Sequence, residues 1–172
     1  MDAPNPSTSG RMGMPLMLGA HEEALLLRVL RSHCADSDCV YAAVIEESGG
    51  VLAQTGGAAL HDQGETAALA AGAYHAVRET ARRLGEPSFE GLSHQGLHRH
   101  FHLGPVDDRF LLLSVFGNDT RLALVRACAQ RTAGRLREAL AGPVRGLVPA
   151  DFRELRGAVS ASLLGGDLFS GG

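Results

Sequence analysis

Residues 109–116, RFLLLSVF, form the stretch that most restricts the fold of this chain. The run is almost continuously apolar, whereas a strand with one face in water alternates apolar and polar residues. It therefore predicts a β-strand in the middle of a sheet that is covered on both faces.

Four more strands and three helices are predicted around this strand. Gly49 and Gly50 lie between two runs of apolar and β-branched residues, which predicts a tight hairpin. Helical spacing of apolar residues follows a candidate N-cap at Asn118, Asp119 or Thr120. The strands are predicted at residues 39–47, 51–55, 89–95, 98–106 and 109–116, and the helices at residues 22–34, 64–84 and from the N-cap to about 140.

The second predicted helix has two sides that are both suited to contact. One side carries an apolar stripe, and the opposite side carries mostly small residues. Such a helix suits close approach by a second helix or another protein, although alanine is also simply a good helix former. The stripe is Leu69, Ala73, Val77, Thr80 and Leu84, and the opposite side holds Ala68, Ala71, Gly72 and His75 among Arg78, Glu79 and Arg82.

The two ends of the chain differ in composition from its centre. Residues 1–19 contain three prolines and five glycines or serines without periodicity, which predicts a disordered arm. Residues 20–142 are expected to form one domain, and residues 143–172 a flexible tail. Apolar spacing in the tail allows a short amphipathic helix, and its apolar residues suggest either a docking peptide or a segment folded back on the domain. These residues are Phe152, Leu155, Val159, Leu163, Leu168 and Phe169.

Composition narrows the classes of function. The apolar fraction of 45% and the charged fraction of 20% are ordinary for a soluble globular protein. The chain has no lysine, which excludes Schiff-base catalysis and the P-loop of nucleotide hydrolases. A formal net charge of -3 gives no broad attraction to nucleic acid or to a membrane surface. The 3 cysteines lack zinc-like spacing, and no signal-peptide or membrane-spanning run is present, so a reducing cytoplasm is expected.

Residues 94–102, HQGLHRHFH, contain four of the 8 histidines. On a strand His98, His100 and His102 would share one face, and with His94 across the turn they could ligate zinc. The alternative is that Gly96 forms a turn and the alternating histidines form a half-exposed structural face of the fourth strand. The structural interpretation is favoured, because metal-binding histidines need orienting acceptors and the sequence offers few. No G-x-S-x-G motif supports a serine hydrolase.

Four stretches in this order resemble the roadblock family: VYAAVIEESGGVLAQTGG, ALAAGAYHAVRETARRLGEPSF, HQG and VFGNDTRLALVRACAQR. The resemblance covers about residues 22–140. It implies an α+β, profilin-like fold of order αββαβββα. In that fold a five-stranded antiparallel sheet carries helices 1 and 3 on one face and helix 2 on the other.

The LGEP and HQG motifs and the tail are most similar to the MglB branch of the family. That resemblance implies a cytoplasmic homodimer that acts as a GTPase-activating protein (GAP) for MglA, a small Ras-like GTPase that sets cell polarity. It implies neither a catalytic residue nor a cofactor or metal in this chain. The alternatives are a roadblock scaffold that binds a GTPase without stimulating it and, third, a histidine-metal enzyme.

The same resemblance assigns candidate contact residues. Two roadblock copies pair through the third strand and helix 2, which would protect an edge strand from aggregation. Leu69, Ala73 and Val77 would then cover the sheet. On helix 2 the expected contacts to the GTPase or the second subunit are Ala68, Gly72, His75, Glu79, Arg82 and Arg83. In the third strand the dimer contacts are Phe89, Leu92 and His94, and in the tail the docking residues are Phe152, Leu155, Leu168 and Phe169.

Overall fold

A computed structural model describes residues 18–57 and 62–141 of the chain. Its elements follow the predicted order αββαβββα: α1 Ala20–Ser37, β1 Tyr41–Glu46, β2 Val51–Gly56, α2 Gln63–Arg83, β3 Leu92–Gln95, β4 His100–Pro105, β5 Phe110–Phe116 and α3 Leu122–Leu140. The predicted tail and nearly all of the predicted N-terminal arm lie outside the described residues, so the domain limits stay predictions. No helix within the described ranges has both the length and the apolar character to cross a bilayer.

The five strands form one antiparallel sheet in the order β2-β1-β5-β4-β3. β5 lies at its centre, where Leu113 pairs with Ala43 of β1 on one side and with Leu103 of β4 on the other. Every residue of β5 is buried. The prediction of a central strand from the RFLLLSVF run is therefore confirmed.

The helices are divided between the two faces of the sheet as the fold class requires. The α2 side of the core consists of small and aromatic helix residues packed on alternate residues of β1 and β5: Ala67, Ala70, Ala71 and Tyr74 on Tyr41, Ala43, Ile45, Leu111 and Leu113. On the other face, His33 of α1 reaches Ser114 of β5 and Thr132 of α3. α1 and α3 thus share the face that α2 does not touch.

The prediction that Leu69, Ala73 and Val77 of α2 face the sheet is wrong. Leu69 is 68% exposed and Val77 is 39% exposed, so the large apolar residues of the stripe do not cover the sheet. The side that carries Ala67, Ala70 and Ala71 lies inward instead and packs on the strands. The helix also lies close to the turn between β1 and β2, since a Cβ added to Gly49 would lie only 2.7 Å from Cα of the exposed Ala68. Tyr74, the one large buried residue of α2, fills the remaining space.

Most element boundaries lie one to three residues from their predicted positions, and the start of β3 and the N-cap of α3 are the differences with a clear structural cause. β3 begins at Leu92 and not at residue 89, so Phe89 lies before the strand. Gly91, at φ +153°, breaks the extended run at a point where a Cβ would lie 2.7 Å from the carbonyl oxygen of Leu103. The proposed caps of α3 are also wrong, because the N-cap is Arg121 without a side-chain bond and the Thr120 hydroxyl instead donates to Asp38.

Two buried histidines lie on the α1 and α3 face of the sheet. Nδ1 of His33 lies 3.1 Å from the Thr132 hydroxyl and its Nε2 lies 2.8 Å from the Ser114 hydroxyl, so both ring nitrogens have partners. His102 bonds to Ser93 of β3 through Nδ1 at 2.9 Å. Burial lowers the pKa of each histidine from 6.5 to about 4. Both imidazoles are therefore neutral in the folded protein near neutral pH.

The lowered pKa values of these two histidines predict a loss of stability in mild acid. Because their pKa values are lower in the folded state, the unfolded chain binds more protons between pH 6.5 and 4. The Asp36 carboxylate opposes the shift at His33, and the Arg126 charge adds to it at His102. The free energy of unfolding should fall by up to about 3 kcal/mol for each histidine as the pH drops through this window. Urea unfolding followed by circular dichroism at a series of pH values measures this fall.

The His33→Gln variant separates this effect from general acid sensitivity. It should be less stable than the parent at pH 7.5 but lose clearly less stability on acidification. The control is His98→Gln, at an exposed position in the turn between β3 and β4, which should keep the parent's pH dependence. An equal loss in the His33 variant and the parent would contradict the assignment.

Candidate protein-binding surface of helix α2 and strand β3

An apolar ridge runs along the outer side of α2. We define it as Leu69, Ala73, Val77 and Leu84, of which Leu84 is 78% exposed. Six large hydrophobic side chains are exposed in the described part of the chain, and three of them belong to this ridge. A contiguous exposed apolar strip on one helix is unusual for a monomer and typical of an interface.

The small-residue side of α2 is divided between solvent and the hairpin turn. Gly72 is exposed, and a Cβ placed on it would meet no atom within 4 Å. Ala68 is exposed as well but lies against Gly49. The smooth surface next to the ridge is therefore centred on Gly72, where a partner could approach the helix backbone.

His75 fastens the hairpin turn to α2. Its Nε2 donates to the carbonyl oxygen of Glu47 at 3.1 Å, and its Nδ1 accepts from the Arg78 guanidinium at 3.1 Å. The two bonds together define the tautomer, with the proton on Nε2. Arg78 also pairs with the Glu47 carboxylate at 2.8 Å. His75 was predicted as a contact residue, and the structure gives it a positioning role at the edge of the surface.

The C-terminal end of α2 carries a closed ionic cluster. Glu79 accepts two hydrogen bonds from Arg82, both at 2.8 Å, and one from Arg83 at 2.9 Å. Hydrogen bonds from Arg82 and then Arg83 lower the pKa of Glu79 to about 2. All three side chains are substantially exposed. The cluster therefore offers polar contacts at the end of the ridge, but each arginine is already held by a carboxylate.

A cleft of about 690 Å³ lies beside this cluster. Its floor includes Tyr74, which packs edge-on against Phe89 with ring centroids 5.1 Å apart. Phe89, which was predicted in the dimer strand, therefore serves the core next to α2. The rest of the lining comes from the second half of α2, the segment before β3 and the turn after β4, with His75, Arg78, Glu79, Arg82, Glu86, Asp107 and Asp108 as its charged or titratable members.

Strand β3 is an edge of the sheet. One side of it pairs with β4, and no described strand pairs with its other side. His94 is exposed and stacks on Phe101 of β4, with ring centroids 5.3 Å apart, and Leu92 is half-buried. Phe101 and Leu92 pack on the α2 side of the core. Strand β3 therefore presents free backbone groups next to apolar side chains on the α2 face.

The histidine cluster of the sequence is dispersed in the fold. His100 and His102 share the face of β4 opposite His94, and His98 lies in the preceding turn. Nε2 of His100 donates to the Asn118 side chain at 2.7 Å. Among residues 18–57 and 62–141 no group of three histidine, cysteine, aspartate or glutamate side chains is arranged to hold a metal ion. The described geometry thus gives His100 and His102 hydrogen-bond partners and gives His94 a stacking contact.

Sequence reasoning missed the ridge as a contact surface. The missed signal is the second helical pattern of Ala67, Ala70, Ala71 and Tyr74, which marks the buried side with spacings of three and four. The tail residues Phe152, Leu155, Leu168 and Phe169 lie outside the described residues, so their docking role stays a prediction.

No protein-family model matches the chain, and no curated protein matches it in sequence. Solved structures do match. The gliding protein MglB of Thermus thermophilus is 25% identical with a TM-score of 0.64, and the alignment covers 72% of this chain and 93% of that one. An MglB with a tetrameric arrangement is also 25% identical over 72% and 93%, with a TM-score of 0.67. MglB of Myxococcus xanthus is 22% identical with a TM-score of 0.67, and the alignment covers 77% of this chain and 100% of that one. The chain therefore has the roadblock fold, which was inferred from four short stretches, and its likeness to MglB, inferred from the LGEP and HQG motifs and the tail, is confirmed in three dimensions.

Proposed function

We propose that this chain is an MglB-like homodimeric regulator, a GAP, of a small Ras-like GTPase of the MglA type, with a role in cell polarity or motility. The observation that carries the proposal is the apolar ridge of α2 beside the unpaired edge of β3. This role requires no cofactor, metal, membrane or nucleic acid, and it places the chain in the cytoplasm with its GTPase.

Dimerisation follows from the physics of the β3 edge. An exposed edge favours pairing with another strand, and pairing β3 with its own symmetry mate would remove both β3 edges and leave only the two β2 edges. A two-fold axis at β3 would bring two copies of the α2 face together. Leu92 and His94 would then lie near the axis, and Leu69, Ala73 and Val77 of each copy could be buried between the helices.

Stimulation of hydrolysis would depend on binding and not on a donated arginine. Many GAPs insert an arginine that accelerates hydrolysis by about 10³ to 10⁵. Here Arg78, Arg82 and Arg83 of α2 are all paired with carboxylates. We infer that the dimer grips the switch regions of the GTPase and favours a conformation in which catalytic groups of the GTPase itself are in place. Gly72 and the cluster of Glu79, Arg82 and Arg83 are the proposed contacts.

The second candidate function is that of a roadblock scaffold, which would bind the GTPase through the same surface without accelerating GTP hydrolysis. Both roles use the same residues, since neither requires a catalytic group from this chain. The rate of phosphate release from the GTP-loaded GTPase separates them. Binding with an unchanged rate would favour the scaffold.

The first prediction from the proposed function concerns the dimer. Leu69→Glu places a charge on the ridge of each copy, and a two-fold interface would bury the charge twice. The dimer dissociation constant should rise by roughly 100-fold, since desolvating an unpaired carboxylate is costly. Analytical ultracentrifugation over a concentration series measures it.

The matched control is Leu124→Glu, because Leu124 is also exposed, at 44%, but lies on α3 across the sheet. This variant should dimerise like the parent. A parent chain that stays monomeric at micromolar concentration, or a Leu69→Glu dimer of undiminished affinity, would refute the proposed interface.

The second prediction concerns GTP hydrolysis. Gly72→Arg adds a long side chain where the folded monomer has open space, so folding should be unaffected while a partner is blocked. We expect stimulation of an MglA-type GTPase to fall at least about tenfold, in line with a lost central contact. Phosphate release under single-turnover conditions is the measurement.

Gly134→Arg serves as its control. Gly134 is also a helical glycine, on α3, with no atom within 4 Å of an added Cβ, so the change in helix propensity is matched. It should leave stimulation intact. A Gly72→Arg variant that remains dimeric and fully active would show that this side of α2 has no part in the function.

The third prediction concerns the tail. A chain that ends at Gly142 lacks Phe152, Leu155, Leu168 and Phe169. If these residues dock on the GTPase, the shortened chain should bind it several-fold more weakly while its dimer constant is unchanged. Calorimetry with the GTP-loaded GTPase gives the affinity, and equal affinity and turnover for both chains would dismiss the tail.

A further inference from the structure

A second cavity, of about 210 Å³, lies between α3 and β4 on the face of the sheet opposite α2. Its floor is formed by Leu112 and by three small residues, Gly104, Ala129 and Ala133. The space exists because small side chains stand where α3 crosses β4. A cavity of roughly 150 Å³ is enough to hold benzene, so this one has room for a ring or branched chain with a polar group attached.

His102 forms one wall of this cavity and is only 4% exposed. Its Nδ1 bonds to the Ser93 hydroxyl at 2.9 Å, so Nε2 is the ring nitrogen that can meet a ligand. A Cβ placed on Gly104, a floor residue, would lie 3.3 Å from Nε2, so this nitrogen is directed toward the cavity. An imidazole nitrogen in this position, beside an apolar floor, favours a ligand with a polar atom at that point.

Arg137 lies at the mouth of the cavity. Its Nε donates to the carbonyl oxygen of Val106 at 2.6 Å, which anchors the guanidinium and leaves both terminal nitrogens available. Arg137 takes part in none of the four ion pairs found among the described residues. Glu90, the acidic residue of the lining, is instead paired with Arg126 at 3.3 Å, which offsets its charge. The mouth therefore offers a guanidinium edge of the shape that binds a carboxylate in a bidentate manner.

We propose that this cavity binds a small organic carboxylate with a short cyclic or branched apolar body. The carboxylate pairs with the terminal nitrogens of Arg137, and the apolar body lies on Leu112, Ala129 and Ala133. A polar atom of the ligand, or a bridging water, bonds to Nε2 of His102. This site lies on the face of the sheet opposite the ridge. Its proposal therefore does not depend on the proposed GTPase regulation, and each can be tested without the other.

Benzoate and isovalerate are suitable probes on the full chain. Ligands of this size reach roughly millimolar dissociation constants, which protein NMR titration measures through shifts of the Ala129 and Ala133 amides. Benzamide has the same ring without the charge and should bind at least about tenfold more weakly, because the pairing with Arg137 is lost. Saturable binding of benzoate with this preference supports the proposal.

Two variants and one control locate the site. Arg137→Gln should weaken benzoate binding at least about tenfold, as expected for the loss of a charge-assisted pair. Ala133→Leu should abolish binding by filling the floor. Arg135→Gln is the control, since Arg135 is an exposed arginine of α3 that bonds to Ser32 and does not line the cavity. Absence of saturable binding, equal affinity for benzamide, or full binding by Arg137→Gln would overturn the proposal.

Discussion

The burial of β5 on both faces is the constraint from which the other features follow. Two helices, α1 and α3, cover one face of the sheet, but α2 alone covers the other. A single helix is too narrow for five strands, and Leu92 and Phe101 at the β3 side remain only partly buried. The exposed ridge of α2 borders the same region. The fold therefore leaves apolar surface uncovered at one place, and that place adjoins an unpaired strand edge.

The order of the elements could be predicted from the sequence, but the orientation of α2 could not. The continuous apolar run of β5 and the glycine pair between β1 and β2 are local signals, and both were interpreted correctly. In α2 two helical patterns compete, one of large apolar residues and one of alanines with Tyr74. Hydrophobicity alone favours placing Leu69 and Val77 inward. In the folded chain Ala67, Ala70, Ala71 and Tyr74 pack on β1 and β5 instead, and these contacts join segments that are distant in the sequence.

The histidines show the same limit of local reasoning. Four of them are neighbours in the sequence, yet strand alternation directs His94 and His102 to opposite faces of the sheet. The residues that determine their chemistry come from elsewhere, as when Asn118 binds His100. His33, which lies far away in the sequence, meets Ser114 in the same buried layer as His102. Spacing within one segment therefore cannot distinguish a metal site from a set of separate hydrogen bonds.

Strand β4 connects the two candidate surfaces. Its alternate residues divide between the faces, with Phe101 on the α2 side and His102 and Gly104 on the cavity side. The same strand holds β3 in register through the pairing of His102 with Ser93, which the side-chain bond between these two residues reinforces. His102 is thus joined to β3 by both the backbone pairing and a side-chain bond. The unpaired edge strand is therefore held in register by a residue on the face of the sheet opposite α2.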